Sequence, residues 1–100
     1  MSYEAVEIDV IRWAEARKII PRSNPAAQLL KAVSEMGELA DADIKNNLPD
    51  IKDAIGDVMV CLINYCVLRD ISLVQCLKGA YEEIKDRKGE LLPNGVFVKQ

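Results

Sequence analysis

The sequence predicts an all-α protein whose subunit is of the four-helix-bundle type and assembles as a homo-oligomer. Apolar residues recur every three to four positions along most of the chain, and capping signals separate these segments. One segment, VMVCLINYCVL at 58–68, is apolar on nearly all sides. A helix on the outside of a small bundle keeps one polar face, so this helix needs cover on two sides. We therefore expect a second subunit.

Four helices are predicted, at about 3–18, 25–45, 50–69 and 72–88, with a C-terminal tail at 89–100. The side chain of Asn24 or Ser23 can cap the second helix. Pro25 suits the first turn of this helix, where its missing N–H costs no hydrogen bond. Ser72 and a glutamine three residues later form a capping box for the fourth helix. The apolar tail is expected to dock on the bundle. Residues 1–100 are read as a single domain.

Composition and charge exclude several classes of protein. Half of the residues are hydrophobic and 29% are charged, which is typical of a folded chain. A net charge of −3 without a basic face argues against nucleic acid as a partner, because phosphate neutralisation supplies most of that affinity. The absence of histidine excludes the usual zinc sets and a Ser-His-Asp triad.

The expected localisation is cytoplasmic, with no membrane partner. Acidic residues and an arginine occupy the first twenty positions, where a secretory signal would have an apolar core. The apolar run 58–68 is too short to span a bilayer. The three cysteines lie in apolar helical sequence, so we interpret them as reduced core residues.

Two acidic stripes are predicted to face each other across the turn between the second and third helices. Lys31, Glu35 and Glu38 share one stripe of the second helix. The stripe on the third helix contains Asp50, Asp53, Asp57, Cys61 and Asn64. Glu38 and Asp57 each lie on the order of 12 Å from the turn, so an antiparallel hairpin brings them level. Carboxylates at matched height on facing helices suit a hard divalent cation.

The alternative interpretation of these acidic residues is a solvated helix face. The i,i+4 spacing of Asp53 and Asp57 argues against it, since such a like-charged pair costs roughly 0.2–0.5 kcal/mol unless a cation lies between them. Trp13 is open to two interpretations, as a core anchor or as a flat wall for a base. The basic residues Lys85, Arg87 and Lys88 either complement a helix C-terminus or bind phosphate.

The segments QLLKAVSEMGELADA, DIKDAIGDVMVCLIN, AYEEIKDRKG and NGVFVK, in this order and spacing, resemble the MazG-like nucleotide pyrophosphohydrolases, an all-α family. The resemblance extends from Trp13 to Lys99. It implies an enzyme that depends on Mg²⁺, with Mn²⁺ as an alternative, and converts a nucleoside or deoxynucleoside triphosphate to the monophosphate and pyrophosphate. Clearing unwanted nucleotides would be the purpose of such a reaction. The family holds the metal with Glu-x-x-Glu on one helix and Glu-x-x-Asp on the next.

Carried over to this chain, the resemblance makes Glu35, Glu38 and Asp57 the catalytic and metal-binding carboxylates. Ala54 occupies the position of the remaining glutamate, so one of four ligands is missing. Asp53 is a candidate substitute if the helix rotates or a water bridges, because adjacent helical residues point about 100° apart. The candidate substrate-binding residues are Trp13, Lys31, Asn64, Lys85, Arg87 and Lys88.

Three functions therefore remain open on the sequence. The first is the active pyrophosphohydrolase, as a homodimer or homotetramer. The second is a weakened or inactive relative, disabled by Ala54, that binds nucleotides or regulates a partner. The third is a structural helical domain with an acidic surface.

Overall fold

The computed structural model describes residues 2–100, and most of them are helical. Five helices precede a two-stranded antiparallel sheet. Their bounds are α1 Tyr3–Ala16, α2 Ile19–Arg22, α3 Pro25–Ile44, α4 Leu48–Leu68, α5 Leu73–Ile84, β1 Gly89–Leu91 and β2 Phe97–Lys99. The predicted helical class is confirmed, and the small sheet is the departure from it.

Helices α3 and α4 form a long helical hairpin, and the turn between them is closed by backbone hydrogen bonds. Asn46 has a φ of 51°, the left-handed conformation that ends many helices. The amides of Asn46 and Asn47 then donate to the carbonyls of Asp43 and Ala42. Asn47 also caps α4, since its side-chain oxygen accepts from the amide of Asp50 at 3.2 Å. This turn sets the register of the two acidic stripes.

The core lies around α4, which contributes six of its buried residues. Helix α1 adds Ala14, α3 adds Ala32 and Ala42, and α5 adds Val74. The chain bends by 99° between α4 and α5. The described part of the chain contains no single helix with the length and apolar content needed to cross a bilayer.

A polar contact holds α5 against α1. Ser72 caps α5 by accepting from the amide of Gln75, and its hydroxyl donates to both carboxylate oxygens of Glu7 at 3.0–3.1 Å. The amide of Val74 donates to Glu7 as well, at 3.1 Å. The capping function of Ser72 is confirmed, while its bond to α1 has no sequence signal.

Several predicted boundaries are corrected. The first helix ends at Ala16, because Lys18 takes a left-handed φ of 66°, and the short α2 follows it. The last helix ends at Ile84 rather than 88, and the tail forms a β-hairpin. Among residues 2–100, no Cα of either strand lies within 8 Å of a Cα of a helix. The prediction that the tail docks on the helices of its own chain is therefore wrong.

The chain is more open than a compact monomer of its size. Its radius of gyration is 16.0 Å, where about 13 Å is usual for 100 residues. Its accessible surface is 7581 Å², where a compact 11.1 kDa monomer exposes about 5,700 Å². Much of the extra surface is apolar. On α3 the exposed apolar side chains are Leu29, Leu30, Val33, Met36 and Ile44.

Candidate functional site

A cavity of about 250 Å³ opens between α1, α3 and α4. It is lined by five of the predicted site residues, namely Trp13, Lys31, Glu35, Asp57 and Asn64. Four lining residues were not singled out as site residues from the sequence, namely Ile19 of α2, Gln28, Val60 and Cys61. Gln28 lies on the same helical stripe as Glu35, and Cys61 lies on the same stripe as Asp57. Helical periodicity could therefore have identified these two residues as part of the site.

Glu35 is the buried acid of this cavity. Only 6% of the residue is exposed, although it lies on a helix with many solvated neighbours. The ammonium of Lys31 contacts its Oε1 at 3.0 Å, one helical turn away. The hydrogen bond from Lys31 holds the pKa of Glu35 below its ordinary value, and a hydrogen bond from Glu38 adds to this effect. Glu35 is therefore ionised at neutral pH.

Two oxygen atoms in this cavity are buried without a partner. Within residues 2–100, neither Oε2 of Glu35 nor Oδ1 of Asn64 has a hydrogen bond. Asn64 is 2% exposed, so solvent does not reach its side chain freely. A buried oxygen without a partner costs about 1–3 kcal/mol, more when it is charged. Both residues also line the cavity, so a hydrogen-bond donor or a cation bound at its wall would be close to these two buried oxygens.

The pKa values of Glu38 and Asp57 are shifted upward, opposite to that of Glu35. The hydrogen bond to Glu35, followed by the negative charge of Glu35, raises the pKa of Glu38. Partial desolvation raises the pKa of Asp57, and the charges of Asp53 and Glu35 raise it further. The shift of Glu38 reports a neighbouring carboxylate, whereas that of Asp57 reports chiefly the removal of its carboxylate from water. The structure thus brings Glu35 and Glu38 within hydrogen-bonding reach of each other, with Asp57 nearby.

A second, acidic groove of about 250 Å³ lies on the turn side of Glu38. Ala54 and Asp53 line it together with Glu38, and the remaining lining residues are Asp41, Ala42, Lys45 and Asp50. Ala54 is 5% exposed, so it belongs to the packed α3–α4 interface and yet borders this groove. Asp53 is exposed and reaches the same groove as Glu38.

Trp13 stands at the rim of the cavity rather than in the core. The residue is 42% exposed, and its indole lines both the Glu35 cavity and an adjoining apolar hollow that includes Asp57 and Val60. The guanidinium of Arg17 lies 4.6 Å from the ring centroid, a cation–π distance. The interpretation of Trp13 as a core anchor is therefore wrong.

The predicted basic residues lie away from this site within one chain. Lys85 follows α5 and pairs with Glu82 at 2.7 Å. Arg87 and Lys88 are exposed in the segment before β1. In the described residues, none of the three lines the Glu35 cavity or the acidic groove.

The donors of the site have the chemistry that a hard cation requires. Carboxylate and amide oxygens are the ligands of Mg²⁺, and Glu35 retains an oxygen without a protein partner. No group of three metal-ligating side chains is gathered closely enough in residues 2–100 to hold an ion as it stands. The donor types fit Mg²⁺, and the pair Glu35–Glu38 is the part of the set already assembled.

Comparison with known proteins gives one informative relative. The chain is 38% identical over 55 residues to an uncharacterized 18.2 kDa protein from the rep-hol intergenic region of Haemophilus phage HP1. The match covers 55% of this chain and 34% of the phage protein, so the chain spans about a third of that relative. No family model matches the chain, and no solved structure matches it.

Proposed function

We propose that the chain is the subunit of a Mg²⁺-dependent nucleoside triphosphate pyrophosphohydrolase of the MazG-like type, acting in the cytoplasm. One observation carries the proposal: the buried carboxylate of Glu35 keeps an unpartnered oxygen beside Glu38, in a cavity that Asp57 and Trp13 also line. A site built only for stability would not leave this oxygen unsatisfied. The resemblance in sequence supplies the class of substrate.

The roles of the residues follow from their charges and positions. Glu35 and Glu38 on α3, with Asp57 on α4, would hold the cation, and Asp53 would support Glu38 from the acidic groove. Bound Mg²⁺ would neutralise the phosphates and stabilise charge that develops during hydrolysis.

Substrate contacts are assigned to the rim of the same cavity. The indole of Trp13 offers a half-exposed flat surface against which a base can stack. The ammonium of Lys31 neutralises Glu35 while no cation is bound, and its side chain is 59% exposed. It is therefore able to turn to a phosphate oxygen when a cation takes over that charge. Asn64 presents an amide to the cavity floor.

We further propose that two or four copies assemble, with α3 and α4 of paired copies forming the four-helix bundle. The apolar stripe on α3 supports this proposal, because Leu30 and Val33 are 70% and 62% exposed. Nothing lies within 4 Å of a Cβ added at Gly37 on the same helix, so this position is open in a single chain.

Pyrophosphate release from a panel of nucleoside and deoxynucleoside triphosphates, with Mg²⁺ and with chelator, tests the function. Trp13 is the single tryptophan, so its fluorescence reports nucleotide binding independently of turnover. We expect Mg²⁺-dependent release that Glu35→Gln abolishes, with Lys52→Gln on the exposed face of α4 as the control. Absence of release and of a fluorescence change across the panel would refute the proposal.

A second candidate function rests on Ala54. Because this position lacks the carboxylate that the family has, the protein could bind nucleotides without hydrolysing them and regulate a partner. Nucleotide-dependent quenching of Trp13 without pyrophosphate release would favour this function. A structural domain, the third alternative, would show neither signal and no thermal stabilisation by Mg²⁺ or Mn²⁺.

A further inference from the structure

The C-terminal hairpin, residues 89–99, does not pack against the helices of its own chain. No Cα of its strands lies within 8 Å of a helix Cα in the described chain. A two-stranded hairpin is marginal in water on its own, and a hydrophobic face packed on something else is what stabilises it. Leu91 and Phe97 pair across the strands and are 68% and 51% exposed. The hairpin therefore carries an apolar face without a partner.

The hairpin itself is well specified. Gly89 pairs with Lys99, and a Cβ at Gly89 would collide with the carbonyl oxygen of Val98 and lie 2.7 Å from the ring of Phe97. The Phe97 ring thus covers Gly89 and closes that end of the sheet. The amide of Leu92 donates to the carbonyl of Val96 at 2.8 Å and closes the other end. The pairing of the two strands is therefore defined at both ends of the hairpin.

A matching apolar groove lies elsewhere on the chain, between α1, α4 and α5. Its volume is about 340 Å³, and its exposed walls come from Tyr3, Val6 and Leu77, above a floor of Ile63 and Val74. The groove continues along α5 past Tyr81, which is 58% exposed. Leu77 is 55% exposed, so the groove is an apolar surface that this chain alone leaves uncovered.

We propose that the hairpin of one copy packs into the α1–α5 groove of a second copy of this chain, and that the exchange is reciprocal. An isologous pair buries both hairpins and both grooves at once. The chain exposes about 1,900 Å² more than a compact monomer, an excess that the hairpin and the groove share with the α3 stripe. Obligate interfaces bury about 2,000–5,000 Å² in total from both partners, so a reciprocal pair would draw on the hairpin and groove of both copies.

Charge supports the same pairing. Residues 86–99 carry Arg87, Lys88 and Lys99 against Asp86 and Glu90. The rim of the groove carries Glu4, Glu7 and Glu82, of which Glu4 pairs with Lys78 and Glu82 with Lys85, so both segments keep a small net charge and the two are opposite in sign. A positive arm therefore meets a negative rim, an arrangement that steers association and disfavours the arm on the wrong surface. This contact is separate from the α3 stripe and does not depend on the nucleotide chemistry.

A photoreactive benzoylphenylalanine in place of Phe97 tests the contact directly. The full-length chain is mixed as isotopically light and heavy copies, refolded together and irradiated. We expect a cross-linked dimer whose peptides join position 97 of one copy to α1 or α5 of the other. Links confined to a single copy, links to other helices, or no dimer at all would each overturn the proposal.

Gly89→Ala provides the second test, because its Cβ collides with the opposite strand and leaves the helices untouched. We expect helical circular dichroism to be retained and assembly in sedimentation velocity to weaken at least about tenfold, the loss expected from uncovering a large apolar side chain. Gly79→Ala is the matched control, since nothing lies within 4 Å of its added Cβ. Equal association of the two variants would overturn the proposal.

Discussion

Ala54→Glu is the substitution that most sharply tests the assignment of the metal site. Ala54 is 5% exposed and borders the acidic groove beside Glu38 and Asp53. A glutamate at this position enters a groove that already holds four carboxylates and one lysine. The added charge is repelled while no cation is bound, and it becomes a fourth ligand if a cation binds there. The stability change therefore reverses between chelator and Mg²⁺.

The magnitudes follow from the neighbours of Ala54. On α4 the new carboxylate lies at i,i+4 from Asp50 and at i,i+3 from Asp57, and each like-charged pair costs roughly 0.2–0.5 kcal/mol. Partial burial raises the total loss in chelator to about 1–2 kcal/mol. A tenfold gain in Mg²⁺ affinity returns about 1.4 kcal/mol when the metal is in excess. A tenfold gain in rate corresponds to about 1.4 kcal/mol of barrier.

Urea unfolding of Ala54→Glu in chelator and in excess Mg²⁺, beside pyrophosphate release, measures these changes. Ala54→Gln is the matched control, because it has the same shape and no charge. The glutamate variant should gain more stability from Mg²⁺ than either the wild type or the glutamine variant. If both variants lose the same stability and neither responds to Mg²⁺, residue 54 is only a core position, and the case for a metal site on this face fails.

The remaining predictions address the cap, the carboxylates and the assembly. Ser72→Ala removes the α5 cap and the bond to Glu7, so thermal unfolding should show a loss of about 2 kcal/mol; Ser72→Thr should retain most of it, and equal losses would contradict this role. Glu38 has a raised pKa in the folded state, so its protonated form stabilises the fold below pH 4.5 and this contribution is lost as pH rises. In chelator, Glu38→Gln should therefore be more stable than the wild type at pH 7 and no more stable near pH 4. The same variant should lose the stabilisation by Mg²⁺. Lys31→Met should have the opposite dependence, because the lowered pKa of Glu35 contributes stability above pH 4.5 that disappears as pH falls, and a pH-independent deficit would refute it. Val33→Asp should weaken assembly in sedimentation without unfolding the chain, since Val33 is 62% exposed, whereas a charge at the buried Ile63 should prevent folding.

The helices and their caps could be predicted from the sequence because they depend on local chemistry. Asn24 accepts from the amide of Ala27 at 2.8 Å, and Pro25 occupies the first turn, as the Asn-Pro pair predicts. That the two acidic stripes lie on facing helices followed from the short turn. Their register differs from the prediction, because Asp57 lines the cavity of Glu35 while Glu38 lines the groove of Asp53. The burial of Glu35 could not be predicted, because helical periodicity places Glu35 on the same face as the exposed Lys31.

The β-hairpin and the open faces could not be predicted because they depend on contacts beyond the local sequence. Val96-Phe97-Val98 reads as an apolar tail, and only the pairing of Gly89 with Lys99 makes it a strand. Leu77 and Ile84 follow a helical stripe that predicts burial, yet they are 55% and 50% exposed. An apolar stripe indicates which face of a helix is to be covered, and it does not say whether the cover comes from the same chain.

In the proposed metal site, Ala54 and Asp53 together would account for the missing fourth carboxylate. A glutamate at 54 would add a fifth carboxylate to the groove that already contains Glu38, Asp50 and Asp53, and this repulsion would destabilise the chain whenever the metal is absent. Alanine relieves that repulsion and packs at the α3–α4 interface. Asp53 remains exposed on the same groove as Glu38, where it can supply a ligand oxygen through a water. The substitution therefore exchanges metal affinity for metal-free stability, and Asp53→Asn should weaken the Mg²⁺ response of the wild type more than that of Ala54→Glu.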